Sequence, residues 1–187
     1  MTDRRTRIAE AGIRILAARG ARALTHLNVD RDLGLAEGST SYYARTRRDL
    51  IVLVVDRLAT RTGDDLAAHD VPGDLTPRTA ARLVVAGLDD TMRRADDHRA
   101  RLILLLECHA DPELRASLAT RPRMREKFAR TATSMLRKLN VDDPDVHAQD
   151  LAGLVDALLM QRIVRAAPID EEDIIAAYLT GLAARTP

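Results

Sequence analysis

An all-α fold is predicted for this chain of 187 residues, and three features of the sequence predict it. Apolar residues recur at helical spacing, capping residues stand directly before prolines at several helix starts, and strand-type alternation of Val, Ile and Thr is absent. The pattern divides into about nine helices, grouped as a small N-terminal three-helix domain over residues 1–45 and a larger helical domain over 46–187.

The first helix carries Ile8, Ala11, Gly12, Ile15 and Leu16 on one apolar face and stops at Gly20. Thr25 caps a second helix that ends at Gly34. The turn Gly34-Leu35-Ala36-Glu37-Gly38 leads into a short third helix over Ser39–Tyr43. Thr46 caps a long fourth helix through Ile51, Leu53, Val54, Val55, Leu58 and Leu66 to the neighbourhood of His69, and Pro72 and Gly73 break the chain after it. Thr76-Pro77, Asp111-Pro112 and Asp143-Pro144 each place a capping side chain before a proline at the first helical position, where its missing N–H costs nothing. Asp170 precedes Glu171, Glu172 and Asp173, which puts acid at the positive end of the last helix.

Composition narrows the class. No stretch approaches the 18 or so uninterrupted apolar residues of a membrane span, and no membrane partner is expected. The N-terminal MTDRRTRIAEAG is charged and helical in pattern, unlike a secretory signal. Cys108, the single cysteine, cannot build a disulfide framework and suits a reducing compartment, so a cytoplasmic location is expected. Net charge is only +1, yet residues 1–50 hold ten Arg against six Asp or Glu, a balance of +4, and the remainder carries −3. A basic head on a slightly acidic body is the charge footprint of a chain whose head alone meets nucleic acid.

The most informative stretch runs from Leu24 to Leu50, LTHLNVDRDLGLAEGSTSYYARTRRDL. Ser39, Thr40, Ser41, Tyr42 and Tyr43 have little apolar surface to give a core but form a dense row of donors and acceptors, and Arg45, Arg47 and Arg48 follow them. Small polar groups suit base edges and fixed cations suit phosphates, which is what a helix lying in the major groove needs. This stretch resembles the helix-turn-helix of the TetR family of bacterial transcriptional regulators. The resemblance rests on the turn Gly34–Gly38, the recognition helix Ser39–Tyr43 and the cap Thr46-Arg47, and it covers the first third of the chain. Ala44 departs from the family pattern, which usually has a Phe there to anchor the recognition helix; Leu24, Leu27, Val29 and Leu33 are the residues available to fill that space.

The resemblance implies an operator-DNA surface made of Thr25, His26, Ser39, Thr40, Ser41, Tyr42, Tyr43, Arg45, Thr46 and Arg47. Ser39, Thr40 and Tyr42 would face bases and sugar-phosphate, and Tyr43 and Arg47 would meet phosphates. It further implies a homodimer, since two reading heads must span successive major grooves. The last two helices offer the stripes for it: Leu151, Leu154, Val155 and Leu158 on one, Ile174, Ile175, Tyr178, Leu179 and Leu182 on the other, with small Gly153, Ala157 and Gly181 among them. The alternative is that both stripes simply close the chain's own core, and the dimer is the reading expected. In the family the middle helices wall a ligand cavity, for which Leu102, Leu105, Leu106, Met124, Phe128, Met135 and Leu159 are candidates, with Glu107 or His109 as the polar anchor of a small apolar or weakly polar effector.

Catalytic and metal chemistry find no footing. His26, His69, His98, His109 and His147 lack ligand spacing, and Cys108 and His109 point about 100° apart on a helix. Neither a P-loop nor a dinucleotide fingerprint occurs. No catalytic residue, metal or cofactor is expected. The expectation is a DNA-binding transcriptional regulator, in family terms a repressor released by a small molecule; the alternative is a helical bundle that binds a ligand or partner without binding DNA.

Overall fold

The computed structural model describes residues 3–61, 72–119, 122–165 and 168–185, with the backbone alone at 61, 119, 122–127 and 165. Among the described residues there are nine α-helices and no strand: α1 (Arg4–Arg19), α2 (His26–Asp32), α3 (Arg47–Arg61), α4 (Pro77–Met92), α5 (Ala95–Glu107), α6 (Pro112–Ala119), α7 (Pro122–Lys138), α8 (Pro144–Met160) and α9 (Glu171–Ala183). None of these is long and apolar enough to cross a membrane. The expected helix end around Leu66 and His69, and the side chain of Met124, lie outside the described residues.

Most helix starts follow the capping chemistry read from the sequence. The Thr25 hydroxyl accepts the Asn28 N–H at 3.2 Å. Thr46 and Asp49 cap each other, the hydroxyl accepting the Asp49 N–H at 3.1 Å and the carboxylate accepting the Thr46 N–H at 2.9 Å. Thr76 and Thr79 form the same reciprocal box at the start of α4. Asp111 and Asp170 accept the N–H groups of Leu114 and Asp173, at 3.1 and 2.8 Å. Asp143 is the exception. It sits in the left-handed conformation at φ 47° and its side chain makes no capping bond. Asp tolerates that conformation better than most residues, and its carbonyl still receives the N–H groups of Val146 and His147.

The chain packs as two units, each with its own apolar core. The first comprises Met1–Asp65 and Ala95–Arg121. Its core joins Ile8 and Leu16 of α1, Leu24, Val29 of α2, Leu50 and Val54 of α3, Leu104 of α5 and Leu118 of α6. Gly12 lets α1 and α3 meet closely, since a Cβ there would stand 2.5 Å from the Val54 Cγ2 methyl. The boundary expected at residue 45 therefore falls within this unit, because α3, α5 and α6 complete the core on which α1 and α2 rest.

The second unit comprises Leu66–Arg94 and Pro122–Pro187. Its core is built from Ala80 and Leu88 of α4, Leu136 of α7, Leu151 and Leu158 of α8, and Ile175, Leu179 and Leu182 of α9. After α8 the chain makes one π-helical turn, Gln161–Arg165. From it Arg162 donates to Glu171 at 2.7 Å and to Asp89 at 2.6 Å, tying α4 to the start of α9. These charge-assisted bonds hold the Arg162 guanidinium above its ordinary pKa, the Glu171 contact most strongly. Five residues expected in a seam between two copies, Leu151, Leu158, Ile175, Leu179 and Leu182, are instead buried within the single chain. Their stripes close its own core. The outward sides of α8 and α9 carry Gly153, Ala157 and Met160, and Ile174, Ala177 and Gly181.

Candidate nucleic-acid interface

The stretch between α2 and α3 has the shape of a helix, a sharp turn and a reading segment. Gly34 and Gly38 take positive φ values of 62° and 89°, which glycine adopts without strain, and the chain reverses between them. The segment that follows is shorter than expected. In place of a helix over Ser39–Tyr43 there is one 3-10 turn, Thr40–Tyr42. Two of the hydroxyl residues that suggested base reading bear on the shortening: Ser39 bonds locally in a way that competes with helix continuation, and Thr40 is tied back to α2. The Ser39 hydroxyl donates to the Ala36 carbonyl at 2.6 Å, and the Thr40 hydroxyl donates to Asp30 at the same distance.

Asp30 is the residue of this stretch that sequence reasoning missed. It is 1% exposed, and its carboxylate accepts three bonds. Oδ1 takes the Thr40 N–H at 2.8 Å and the Thr40 hydroxyl at 2.6 Å, and Oδ2 takes the Gly38 N–H at 2.9 Å. Thr40 is consequently fully buried, which corrects its placement among the side chains that face bases: its hydroxyl is spent inside the protein. His26, expected on the DNA surface, is half-buried and donates from Nε2 to the Ala44 carbonyl at 2.8 Å. The available signal was spacing. His26 and Asp30 are four residues apart and so share one face of α2. Ala44 itself is buried in the first core with Leu24 and Val29, so the segment is closed without an aromatic anchor.

The remaining expected residues form an outward group. Tyr42 is 84% exposed and meets Tyr43 edge-on, ring centres 5.1 Å apart. Thr25, Ser41, Arg45, Thr46 and Arg47 are exposed, while Ser39 and Tyr43 are half-buried. The start of α3 lies next in the chain to these cations, with its Asp49 N–H already taken by the Thr46 hydroxyl. Two of its arginines already have carboxylate partners. Arg47 donates to Glu107 at 2.9 Å and to the Ala21 carbonyl at 3.1 Å. Arg48 donates to Glu113 at 2.8 Å and Asp111 at 3.1 Å, which raises its pKa. Asp111 is held below the usual carboxylate range, first by the Leu114 N–H and then by Arg48. Asp49 is lowered likewise, by the Thr46 N–H and hydroxyl.

The residues expected around a ligand are divided between the two units. Leu102 and Leu105 of α5 are half-buried in the first, but Leu106 is 77% exposed. Glu107 is engaged by Arg47, and His109 Nδ1 bonds the Leu106 carbonyl at 3.0 Å, so neither is held ready as an anchor. In the second unit Met135 is buried in the core and Phe128 and Leu159 pack against it. A groove of about 690 Å³ lies elsewhere, between α7 and the start of α8, lined by Arg130, Thr133, Ser134, Arg137 and Asp145 among others. Among the described residues no cluster of His, Cys, Asp and Glu could hold a metal ion.

Comparison with known proteins agrees with this architecture. The tetracyclin repressor-like C-terminal domain matches residues 75–185. A TetR-family protein from Streptomyces coelicolor superposes with a TM-score of 0.64 at 23% identity, covering 97% of this chain and 98% of its own. A TetR-family transcriptional regulator from a Rhodococcus species gives 0.66 at 20% identity, with 99% of each chain covered. The multidrug binding protein EbrR, complexed with ethidium, gives 0.62 at 22% identity over 96% of this chain and 98% of that one. A comparison with curated protein sequences returns no match. With more than half its length matched by the family's C-terminal domain and a helix-turn-helix ahead of it, this chain belongs to the TetR family of DNA-binding transcriptional regulators.

Proposed function

We propose that this protein is a homodimeric, sequence-specific repressor that leaves its operator when a small apolar or weakly polar effector binds. Residues 1–45 with the start of α3 supply the reading surface, seated on the core that α5 and α6 complete, and the rest of 46–187 supplies the regulatory and dimerising body. The observation that carries the reading is the outward group around the turn. Ser41 and Tyr42 stand exposed beside Arg45, Thr46 and the α3 N-terminus, so base-edge and phosphate contacts can form together. Ser39 and Tyr43 flank that group, and Thr25 opens α2 beside it.

A second copy would supply the second head. The outward faces of α8 and α9 support this reading, for they present Gly153, Ala157, Ala177 and Gly181, which permit close helix approach, with Met160 and Ile174 as apolar contacts. Leu154, Val155 and Tyr178, half-buried in the single chain, border those faces, and the buried Tyr178 hydroxyl has no hydrogen-bond partner among the described residues. Release by an effector is supported by likeness of fold to EbrR, described as a multidrug binding protein, and to a regulator from Saccharomonospora viridis in complex with choline.

Selection from a random-sequence duplex pool tests the central point. The wild-type chain is expected to enrich a two-fold symmetric site whose half-sites lie about one or two helical turns apart. Enrichment of no duplex at low salt would refute DNA reading.

A further inference from the structure

We propose that Asp30, with His26 one turn before it, is a positioning residue that sets which DNA sequence the segment Gly38–Ala44 selects; this rests on the DNA-binding reading above. The two side chains share one face of α2 and hold opposite ends of the segment. Asp30 takes the Gly38 and Thr40 amides and the Thr40 hydroxyl, and His26 takes the Ala44 carbonyl. Between these anchors lies only one 3-10 turn, too short to be held by its own hydrogen bonds. Ser41 and the exposed Tyr42 follow Thr40 directly, so a shift of the Thr40 backbone moves both.

A buried carboxylate is a poor choice if stability alone were served. Removing a charge from water is costly, and a well-packed apolar pair of similar volume is commonly as stable or more so. What the carboxylate adds is direction: each of its three bonds fixes a distance to one atom of the segment, which an apolar contact does not do. Non-specific affinity, by contrast, comes from cations such as Arg45, and leaves these anchors out.

The test uses the full chain and the duplex it enriches from the random pool, with a scrambled duplex of equal composition as reference, at two stated salt concentrations. Asp30→Asn removes an acceptor. The paired change Asp30→Ala with Thr40→Leu replaces the polar contact with an apolar one and does not need the carboxylate to fold. Thr40→Ser keeps the hydroxyl. The first two are expected to lower the ratio of selected to scrambled affinity by about tenfold or more, the worth of one base-pair mismatch. Scrambled-duplex affinity and salt slope should stay at wild-type values, and Thr40→Ser should keep the ratio. A paired variant that folds by circular dichroism and retains the wild-type ratio overturns the proposal. An equal fall of both affinities overturns it too, since that marks general loss of the head. A wild-type chain that enriches no duplex removes the DNA-binding reading itself, before any variant is compared.

Discussion

Replacing Gly12 by Ala tests the contact that seats α1 against α3. The new methyl would stand 2.5 Å from Val54 Cγ2 and 3.3 Å from Leu24 Cδ1. Carbon atoms pack best near 3.5–4.0 Å, so the first contact is short by roughly 1 Å. Val54 cannot easily yield, being fully buried and β-branched on a helix, where one χ1 rotamer dominates. Either α1 and α3 separate or Val54 leaves its rotamer, and overpacking of this kind costs about 1–3 kcal/mol. Ala gains about 1 kcal/mol over Gly in a helix interior. The net expectation is a loss of up to about 2 kcal/mol, or up to roughly 8 °C in melting temperature for a chain of this size. Thermal and urea melts of the single variant, of Val54→Ala, and of the pair give a double-mutant cycle. In the pair the space left by the valine methyls should admit the alanine, so Gly12→Ala should cost little or even stabilise. A single variant that raises stability by the propensity gain alone would refute the close approach.

Three further outcomes are expected. Glu107→Gln should free Arg47 for phosphate and raise duplex affinity several-fold with a steeper salt dependence, while melting barely moves because an exposed pair is worth about 0–1 kcal/mol; gel shifts at two salt concentrations decide it, and an unchanged affinity counts against the competition. Burial, then the nearby Glu107 and Asp111, push the Cys108 thiol up, so its stabilisation is full below about pH 8.5, the unperturbed value, and fades as pH rises through the higher native one; Cys108→Ala should lose that alkaline slope in urea melts, and identical slopes would contradict it. Ala157→Glu on the exposed face of α8 should yield monomers of wild-type helical content by light scattering and circular dichroism, whereas Leu158→Glu one residue on should unfold the second core; a dimeric Ala157→Glu variant would move the interface elsewhere.

Helix positions were legible because caps and prolines act over three or four residues, a range that sequence displays directly. Thr25, Thr46, Thr76, Asp111 and Asp170 all cap as their neighbours suggest. Asp143 did not, since its conformation depends on the turn from Asn140, also at positive φ. Long-range pairings were hidden. Nothing local marks Asp30 as the partner of a residue ten places on, or Glu107 as the partner of Arg47. The stripes of α8 and α9 illustrate a further limit. Periodicity identifies an apolar face, but a face that meets this chain's α4 and α7 has the same spacing as one that meets a second copy.

The interleaving of the two cores has a consequence for how the chain can be made and cut. Ala100, Leu104, Leu114 and Leu118 belong to the same core as Ile8 and Leu16, although α4, a part of the other unit, is encoded between them. During vectorial synthesis the N-terminal helices must wait, their apolar faces incompletely covered, until α6 has left the ribosome. A fragment ending near residue 65 would expose the surfaces that α5 and α6 cover, so the head is a poor cassette for transplantation onto another body. On the reading proposed above, DNA specificity would be exchanged better by grafting residues 38–47 together with His26 and Asp30 than by joining chains at the end of α3.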